Sequence, residues 1–297
     1  MIFLRPYPPL AANMRLSARE IEDIYLSVAR EYNLTPLAVT DGYVYKPSQP
    51  DLRVINAIAK YLPDTGGSVL DIGTGMGIAA RCSRRFGARV ISVDSLAASG
   101  TAAIENVKLA GVDAFSCDVE REKLPAESNS IDCVVFTDVI EHLIHSPKPV
   151  LMEIFRVLKP GGVCIATTPN AMRLTVRLRV LFGFTNWANI HQYFDDINHY
   201  GHHHEYTIDE FKWVFERIGF RLDDFILEEN SLRSVPVSRM DDIKTQNRSQ
   251  TKAVDEPLAM SALKKMLLLL TTMVPTLRSG MLLCAVKPQA TGEKLRH

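Results

Sequence analysis

Three residues whose side chains are of types that can bind metal ions or transfer protons lie close together in the run TDVIEH, residues 137–142. If a helix begins near Asp138, then Asp138, Glu141 and His142 lie on one face at positions i, i+3 and i+4. Carboxylate oxygens suit Mg²⁺ or Mn²⁺, and an imidazole favours softer ions. The spacing therefore predicts a divalent-metal site. In the alternative without metal, Asp138 caps the helix and Glu141 stabilises its positive end.

A cluster of histidines later in the chain supplies further candidates. Its members are His199, His202, His203 and His204. Histidine gains and loses a proton near neutral pH, so one of them acting as general base is the metal-independent alternative. A solvated loop is the third interpretation. Among all these residues, we predict that His142, His202 and Glu141 are the catalytic ones.

A glycine-rich turn marks the second site. Asp71, Gly73, Gly75 and Gly77 spell DxGxGxG directly after the apolar run SVL and directly before the helical run IAARCSRRF. Glycines in a strand-to-helix turn allow the main chain to approach a ligand closely and present helix amino-terminal N–H groups to it. The motif predicts a bound polar cofactor. The alternatives are a turn without a ligand and a dinucleotide fold, whose fingerprint is GxGxxG.

Polar residues end the neighbouring predicted strands. Asp94 ends the second strand, where a carboxylate can accept hydrogen bonds from two ribose hydroxyls, and Asp118 ends the third. Thr137 ends the fourth. Because the carboxyl ends of parallel strands meet at one edge of the sheet, we add these three residues to the predicted cofactor site.

The elements that position these residues alternate between strands and helices. Between Ser68 and Thr168, five short β-branched runs alternate with helical segments: SVLDI, RVISVD, AFSCD, IDCVVFT and VCIATT. Two more strands are predicted at residues 220–227 and 280–287. The pattern predicts an α/β fold with a Rossmann-like, mostly parallel, seven-stranded sheet, helices on both faces, a helical N-terminal cap and an insertion after the fifth strand.

The predicted organisation is one decorated domain. Its parts are a helical N-terminal cap at 1–62, a cofactor-binding core at 63–170, a lid insertion at 171–205, the C-terminal part of the core at 206–290 with a flexible loop at 230–256, and a tail at 291–297.

Composition restricts the partners and the compartment. Lys plus Arg and Asp plus Glu both number 34, so no net charge attracts nucleic acid, and no recognisable RNA-binding module is attached. The five cysteines lack CxxC spacing and are predicted to be reduced core thiols in the cytoplasm. Arg5 and three prolines interrupt the first ten residues, which argues against a secretion signal. The oligomeric state cannot be predicted.

From Ser68 to Gly162 the sequence resembles the class I S-adenosylmethionine-dependent methyltransferases. The first motif of that family matches DxGxGxG, and its usual phrase before the fifth strand is present as RVLKPGG. The resemblance implies that Gly73, Gly75 and Gly77 line the methionine part of the cofactor. It also implies that Asp94 binds the ribose and Asp118 the adenine amino group.

Two metal-using branches of the family are similar around residues 138–142. They are the ubiquinone-pathway catechol O-methyltransferases and the methyltransferases that act on the terminal ribose of small RNAs, and both carry ExxEH where this chain has DxxEH. In the RNA branch a histidine ligand lies three residues before a Glu-aromatic-Thr triplet. His202 has that spacing from Glu205. The resemblance thus implies Asp138, Glu141, His142 and His202 as metal ligands.

A metal that holds two neighbouring oxygens suits a vicinal diol or a catechol. We therefore expect O-methylation of a hydroxyl on a sugar, glycolipid or polyphenol, with S-adenosylmethionine as cofactor and Mg²⁺ or Mn²⁺ as an additional one. The alternatives are a metal-independent small-molecule methyltransferase with a histidine base, an RNA terminal-ribose 2′-O-methyltransferase, and a binding protein without activity. A small-molecule or glycan acceptor is favoured over nucleic acid.

The segment from Arg173 to Phe184 predicts a basic amphipathic helix, with Arg173 and Arg177 one turn apart. Three interpretations are open: a substrate lid, a helix lying on a membrane surface, and a helix packed on the core. The second would make the otherwise cytoplasmic protein peripheral at the membrane.

Overall fold

The computed structural model describes residues 16–35, 45–64, 66–184, 194, 201–229 and 258–289. The predicted flexible loop at 230–256, the tail at 291–297 and His199 lie outside the described residues. The boundaries proposed for the cap, core and lid stay predictions.

Seven strands form one sheet in the order β3-β2-β1-β4-β5-β7-β6. The first five run parallel, and β7 is antiparallel to both β5 and β6. This confirms the predicted mostly parallel, seven-stranded, Rossmann-like α/β fold. The strands are β1 (Ser68–Ile72), β2 (Arg89–Asp94), β3 (Asp113–Ser116), β4 (Ile131–Thr137), β5 (Leu158–Pro169), β6 (Arg221–Glu228) and β7 (Gly280–Val286).

Eight α-helices and two short 3₁₀ turns, at Ile140–His142 and Pro275–Leu277, connect the strands within the described residues. The helices are α1 (Ala18–Asn33), α2 (Gln49–Tyr61), α3 (Ile78–Arg85), α4 (Leu96–Leu109), α5 (Lys148–Val157), α6 (Leu174–Leu181), α7 (Ile208–Ile218) and α8 (Leu258–Met273). No helix in this part of the chain is long and apolar enough to span a bilayer.

The sheet separates two hydrophobic cores. Successive side chains of a strand point to opposite faces, so Val69 of β1 packs into one core and Leu70 into the other. Helices α1 to α3 cover the first core, and α5 and α7 cover the second. All five cysteines are buried and unpaired, as predicted. The two cores hold the parallel strands in one rigid sheet, whose carboxyl edge is then free to carry a site.

The helical N-terminal cap is α1 followed by α2. Ser17 and Glu20 form a capping box that satisfies the first free N–H groups of α1. The buried hydroxyl of Tyr25 lies 2.8 Å from the hydroxyl of Tyr45, and Tyr45 also donates to Asp51 at the start of α2. This hydrogen-bonded group fixes α2 beside the carboxyl edge of the sheet.

Two strand boundaries differ from the prediction by two residues or more. β3 ends at Ser116, two residues before Asp118. The Asp118 carbonyl accepts hydrogen bonds from the N–H groups of Arg121 and Glu122 at 3.0 and 2.7 Å, so Asp118 begins a turn. β5 begins at Leu158 instead of Val163, because Leu158 already pairs with Ile131 before the register shifts.

Asn170 connects the insertion after β5 to the segment before β7. Its side-chain amide is fully buried and donates to the Thr276 and Arg278 carbonyls at 3.0 and 2.9 Å, while its oxygen accepts from the Met172 N–H at 2.9 Å. The predicted amphipathic helix follows as α6, beginning at Leu174. One side chain thus fixes two distant segments beside the end of β5.

Replacing Asn170 should therefore be costly. Asn170→Ala leaves two carbonyls and one N–H without their partner, and we expect the free energy of unfolding to fall by about 2–4 kcal/mol in urea denaturation. Asn56→Ala is the control, since Asn56 donates only within its own helix, to Leu52, and should lose no more than about 1 kcal/mol. Equal losses in the two variants would contradict this role of Asn170.

Candidate functional site

A cleft of about 760 Å³ opens at the carboxyl ends of β1, β4 and β5. The strand order reverses between β1 and β4, and open α/β sheets bind ligands outside the strand ends at such a reversal. The cleft lies between the glycine-rich turn, α2 and the turn after β4. Residues of the predicted sites that line it are Asp71, Gly73, Gly75, Gly77, Thr137, Asp138, Glu141, His142 and His202.

The glycine-rich turn needs its glycines for two different reasons. Gly73, Gly75 and Gly77 all have positive φ angles, of 74°, 47° and 71°. A Cβ atom on Gly73 would lie 2.3 Å from Val139, and one on Gly77 would lie 2.0 Å from Val107. At Gly75 the only atom that such a Cβ would approach, the Gly73 carbonyl oxygen, is 3.9 Å away. Gly73 and Gly77 permit close packing, whereas Gly75 leaves space on the side of the cleft.

Asp71 lies at the base of this turn and is almost fully buried. Burial raises the pKa of its carboxyl to about 7, although the hydrogen bond from the Thr74 hydroxyl, at 2.9 Å, favours the charged form. The carboxyl group is thus positioned by Thr74 beneath the main chain of the turn.

The structure places Asp94 and Asp118 differently from the residues of the turn. Asp94, the last residue of β2, accepts a hydrogen bond from the Gly75 N–H at 2.8 Å and so supports the turn. Asp118 pairs with Arg121 at 3.3 Å and its side chain is partly exposed. The residues that line the cleft include neither aspartate. Their assignment to the ribose and the adenine stays a prediction.

The turn after β4 corrects the predicted helix. Asp138 has a left-handed backbone conformation, with a φ angle of 52°, and only Ile140–His142 forms one 3₁₀ turn. The Asp138 N–H donates to the Thr167 carbonyl at 3.1 Å, and its carboxylate accepts from the Thr167 hydroxyl at 3.0 Å. These bonds to β5 hold Asp138 away from a helical conformation, so the i, i+3, i+4 face does not form.

Glu141 is fully buried at the floor of the cleft. Its Oε2 accepts a hydrogen bond from Thr168 at 3.0 Å, whereas Oε1 is buried without a hydrogen-bond partner. Burial, together with the nearby charge of Asp138, raises the pKa of Glu141 to about 7. A buried carboxylate oxygen without a donor favours a proton or a cation at that position.

The segment from Gly201 to Glu205 brings His202 to Glu141. The N–H groups of His203 and His204 donate to the Glu141 carbonyl at 2.8 and 3.3 Å. The ring Nδ1 of His202 donates to Glu205 at 2.8 Å. This hydrogen bond and the charge of Glu141 raise the pKa of His202.

Glu205 is held by two partners. Arg173, which precedes α6, donates to both of its carboxylate oxygens at 2.6 and 3.1 Å. Burial would raise the pKa of Glu205, but the hydrogen bonds from His202 and Arg173 lower it to about 2. An ionised Glu205 therefore fixes the His202 ring with Nδ1 protonated.

Glu141, His142 and His202 form the one group of three potential metal ligands among the described residues, with ligand atoms within 4.8 Å of one another. The two histidine rings meet edge to face at 4.8 Å. His142 Nδ1 lies 3.2 Å from the Gly201 carbonyl, so it is the protonated nitrogen and Nε2 carries the lone pair. Asp138 is not in this group, whereas the other three predicted ligands are. The assignment of metal ligands stays a prediction.

Several residues of the cleft were not predicted from the sequence. Tyr45 and Asp51 reach it from the cap, Glu228 from the end of β6 and Ser279 from the segment before β7. Arg53 of α2 binds the buried Glu228 at 3.1 Å. Tyr45 lies in an aromatic, proline-containing stretch between α1 and α2, which is a signal that sequence reasoning could have used.

The glycine turn can be tested by a matched pair of substitutions. Gly73→Ala combines left-handed strain with the collision against Val139, and we expect it to lower the free energy of unfolding by about 3 kcal/mol. Gly75→Ala has only the strain, about 1 kcal/mol, but it should weaken binding of S-adenosylhomocysteine. Denaturation and calorimetric titration measure the two effects. Equal destabilisation by both substitutions would refute the assigned packing role of Gly73.

The raised pKa of Glu141 predicts a pH dependence of stability. Between the ordinary pKa of 4.5 and about 7, the folded protein holds a proton that the unfolded chain has lost. Wild-type stability therefore decreases as pH rises through this window. The glutamine side chain of Glu141→Gln does not titrate, so the variant does not lose stability in this way. Its free energy of unfolding relative to that of the wild type should therefore increase with pH.

Urea denaturation with a chelator present, at pH values from about 5 to about 8, measures this difference. Glu127→Gln, at an exposed carboxyl, is the control for the substitution itself. A relative stability of Glu141→Gln that stays constant or decreases over this range would show that burial does not hold the proton on Glu141.

Comparisons with known proteins agree with the fold and the cleft. The sequence model of a family described as a methyltransferase domain matches residues 48–224. The mitochondrial ubiquinone biosynthesis O-methyltransferase of Mus musculus is 30% identical over 132 residues, which cover 40% of this chain and 33% of that protein. The ubiquinone/menaquinone biosynthesis C-methyltransferase of Desulfotalea psychrophila is 32% identical over 159 residues, covering 52% and 61%.

A solved structure has a similar fold. It is phosphoethanolamine N-methyltransferase 2 of Haemonchus contortus, in complex with S-adenosyl-L-methionine, with a TM-score of 0.51 and 20% identity over 92% of this chain and 60% of that one. The chain spans between one third and about three fifths of the length of the two curated relatives. Because the family match covers more than half of the sequence and includes the glycine turn and most residues that line the cleft, the chain belongs to the class I S-adenosylmethionine-dependent methyltransferase family.

Proposed function

We propose that the protein transfers a methyl group from S-adenosylmethionine to a hydroxyl of a small molecule that carries a second oxygen beside it, as in a sugar, a glycolipid headgroup or a catechol. The observation that carries the proposal is the group Glu141, His142 and His202 at one end of the cleft. The curated relatives include both an O- and a C-methyltransferase, so the choice of oxygen rests on this group.

Cofactor binding is assigned to the other end of the cleft. The turn at Gly73, Gly75 and Gly77 offers main-chain groups and, at Gly75, open space. Asp94 supports that turn through the Gly75 N–H. We propose that this turn holds the methionine portion of S-adenosylmethionine, with the methyl group directed toward Glu141, His142 and His202.

The transfer itself needs alignment and removal of one proton. The acceptor oxygen forms a bond to the methyl carbon while the carbon–sulfur bond breaks, and the electron pair of that bond neutralises the sulfonium. The hydroxyl proton passes to a base at the cleft wall. Without a bound metal, His202 suits this role, because Glu205 holds its Nδ1 proton and leaves Nε2 as the acceptor.

The same three residues fit a divalent cation. Oε1 of Glu141 is buried without a donor, and the Nδ1 atoms of both histidines are hydrogen-bonded to acceptors, an arrangement common behind metal-ligating imidazoles. Glu141, His142 and His202 would hold the ion. When bound, it would lower the cost of ionising an acceptor hydroxyl. Metal assistance is therefore part of the proposal, with a metal-free His202 base as the second candidate.

An RNA acceptor is less favoured than a small molecule. Five carboxyl groups line the cleft, those of Asp51, Asp71, Asp138, Glu141 and Glu228, and the one arginine among the lining residues, Arg173, is already paired with Glu205. Such a lining repels the phosphates of a polynucleotide. It accommodates the cationic sulfonium and an uncharged, hydroxyl-bearing acceptor.

Calorimetric titration with S-adenosylhomocysteine, with and without Mg²⁺ or Mn²⁺, tests the proposal together with a methylation assay on catechols and sugars. We expect cofactor binding and a metal response that Glu141→Gln and His202→Ala both remove. His203→Ala, at an exposed neighbouring histidine, is the matched control and should keep both.

The outcomes separate the candidates. Activity that ignores metal but falls about 100-fold or more in His202→Ala, with a changed pH profile, selects the histidine base. Methylation of nitrogen or carbon acceptors in preference to hydroxyls would overturn the acceptor assignment. Failure to bind S-adenosylhomocysteine at all would revive the alternative of a binding protein without methyltransferase activity.

A further inference from the structure

The end of α6 presents apolar side chains to solvent. Leu174 and Val176, in the first turn, are buried against the protein. Leu181 and Phe182, at the other end, are 75% and 72% exposed, and Phe184 is exposed as well. Large aromatic and aliphatic side chains placed together on a surface are unusual unless something covers them.

Helix α8 has a second exposed apolar face. Met266, Leu269, Leu270 and Met273 recur at helical spacing and are all exposed, whereas Thr271 on the other side is buried. The exposed fraction of Met273 is 73%.

Asn170 connects the segments that carry these two helices. Asn170 binds the Thr276 and Arg278 carbonyls, which joins the beginning of the α6 segment to the end of the α8 segment. Pro169 pairs with Gly280, and both of these residues line the cleft. The segments that carry the two helices are therefore joined beside the carboxyl end of β5 and the start of β7, where the cleft opens.

The charged residues in the two segments that carry the apolar faces are all positively charged. Residues 171–184 and 258–278 contain no aspartate or glutamate. Arg177 and Arg179 on α6 and Lys265 on α8 are exposed. In a chain with equal numbers of acidic and basic residues, this segregation produces a locally cationic surface around apolar side chains.

We propose that α6 and α8 together form a contact surface for an anionic lipid bilayer. The apolar side chains would enter the boundary between headgroups and acyl chains, and the three cations would lie against the anionic headgroups. Neither apolar face alone gives stable attachment, whereas two faces with adjacent cations provide two signals at once. This inference does not depend on which acceptor the cleft methylates.

Flotation of the full chain with vesicles tests the proposal. Vesicles of phosphatidylcholine alone are compared with vesicles in which phosphatidylglycerol replaces half of the lipid. We expect binding to the anionic vesicles only, weakening as salt is added. The single variants Arg179→Glu and Lys265→Glu should each bind at least roughly fivefold more weakly. Binding to neither kind of vesicle, or equal binding to both, would overturn the proposal.

Apolar variants separate a lipid contact from a protein contact. Phe182→Ser and Met273→Ser should each reduce flotation while leaving S-adenosylhomocysteine affinity unchanged. Trp213→Ser, on α7 and 60% exposed, is the matched control and should float like wild type. Wild-type flotation by the Phe182 and Met273 variants would refute the surface. A wild-type dimer that these variants convert to monomer would instead assign the faces to a second copy of the chain.

Discussion

The reaction end of the cleft depends on one buried carboxyl group. Glu141 lies where three segments meet: the turn after β4, the end of β5 and the loop that begins at Gly201. Its main-chain carbonyl accepts hydrogen bonds from the N–H groups of His203 and His204, and its carboxyl group accepts one from the hydroxyl of Thr168. Burying a carboxyl in this way costs free energy, and hydrogen bonds to the carboxyl and to the main-chain carbonyl of Glu141 connect β5 and the loop to the turn after β4. The position of His202 follows from this convergence.

Much of the fold was predictable because its local signals agree. The strands β1, β2 and β4 occupy the same residues in the sequence prediction and in the structure, since each is a short run that contains β-branched apolar residues. The turn from Gly73 to Gly77 was predictable for the same reason: a glycine pattern between an apolar strand and a helix has few other physical explanations. Where residue type, spacing and context agree, sequence determines position well.

The departures arise where tertiary contacts override local preference. Helical spacing placed Asp138 on a helix, but two hydrogen bonds with Thr167, which is far away in sequence, hold it in a left-handed turn. The pairing of Glu205 with Arg173 and the role of Asn170 likewise join distant segments. Periodicity contains no information about such pairs. The histidine cluster could be found by residue type, and the spacing of His202 from Glu205 singled out the member that lies beside Glu141 in the structure.

The position of β7 has a consequence for how the chain is made. β7 is the last strand in sequence, yet it lies between β5 and β6, and both of those strands pair with it. Until residues 280–286 leave the ribosome, both neighbours have an unpaired edge, and such edges invite pairing with other chains. Synthesis from the N-terminus can therefore complete the glycine turn and the parallel half of the sheet early. Closing the sheet must wait for residues 280–286, so a nascent chain that lacks them would be prone to aggregate or to be captured by chaperones.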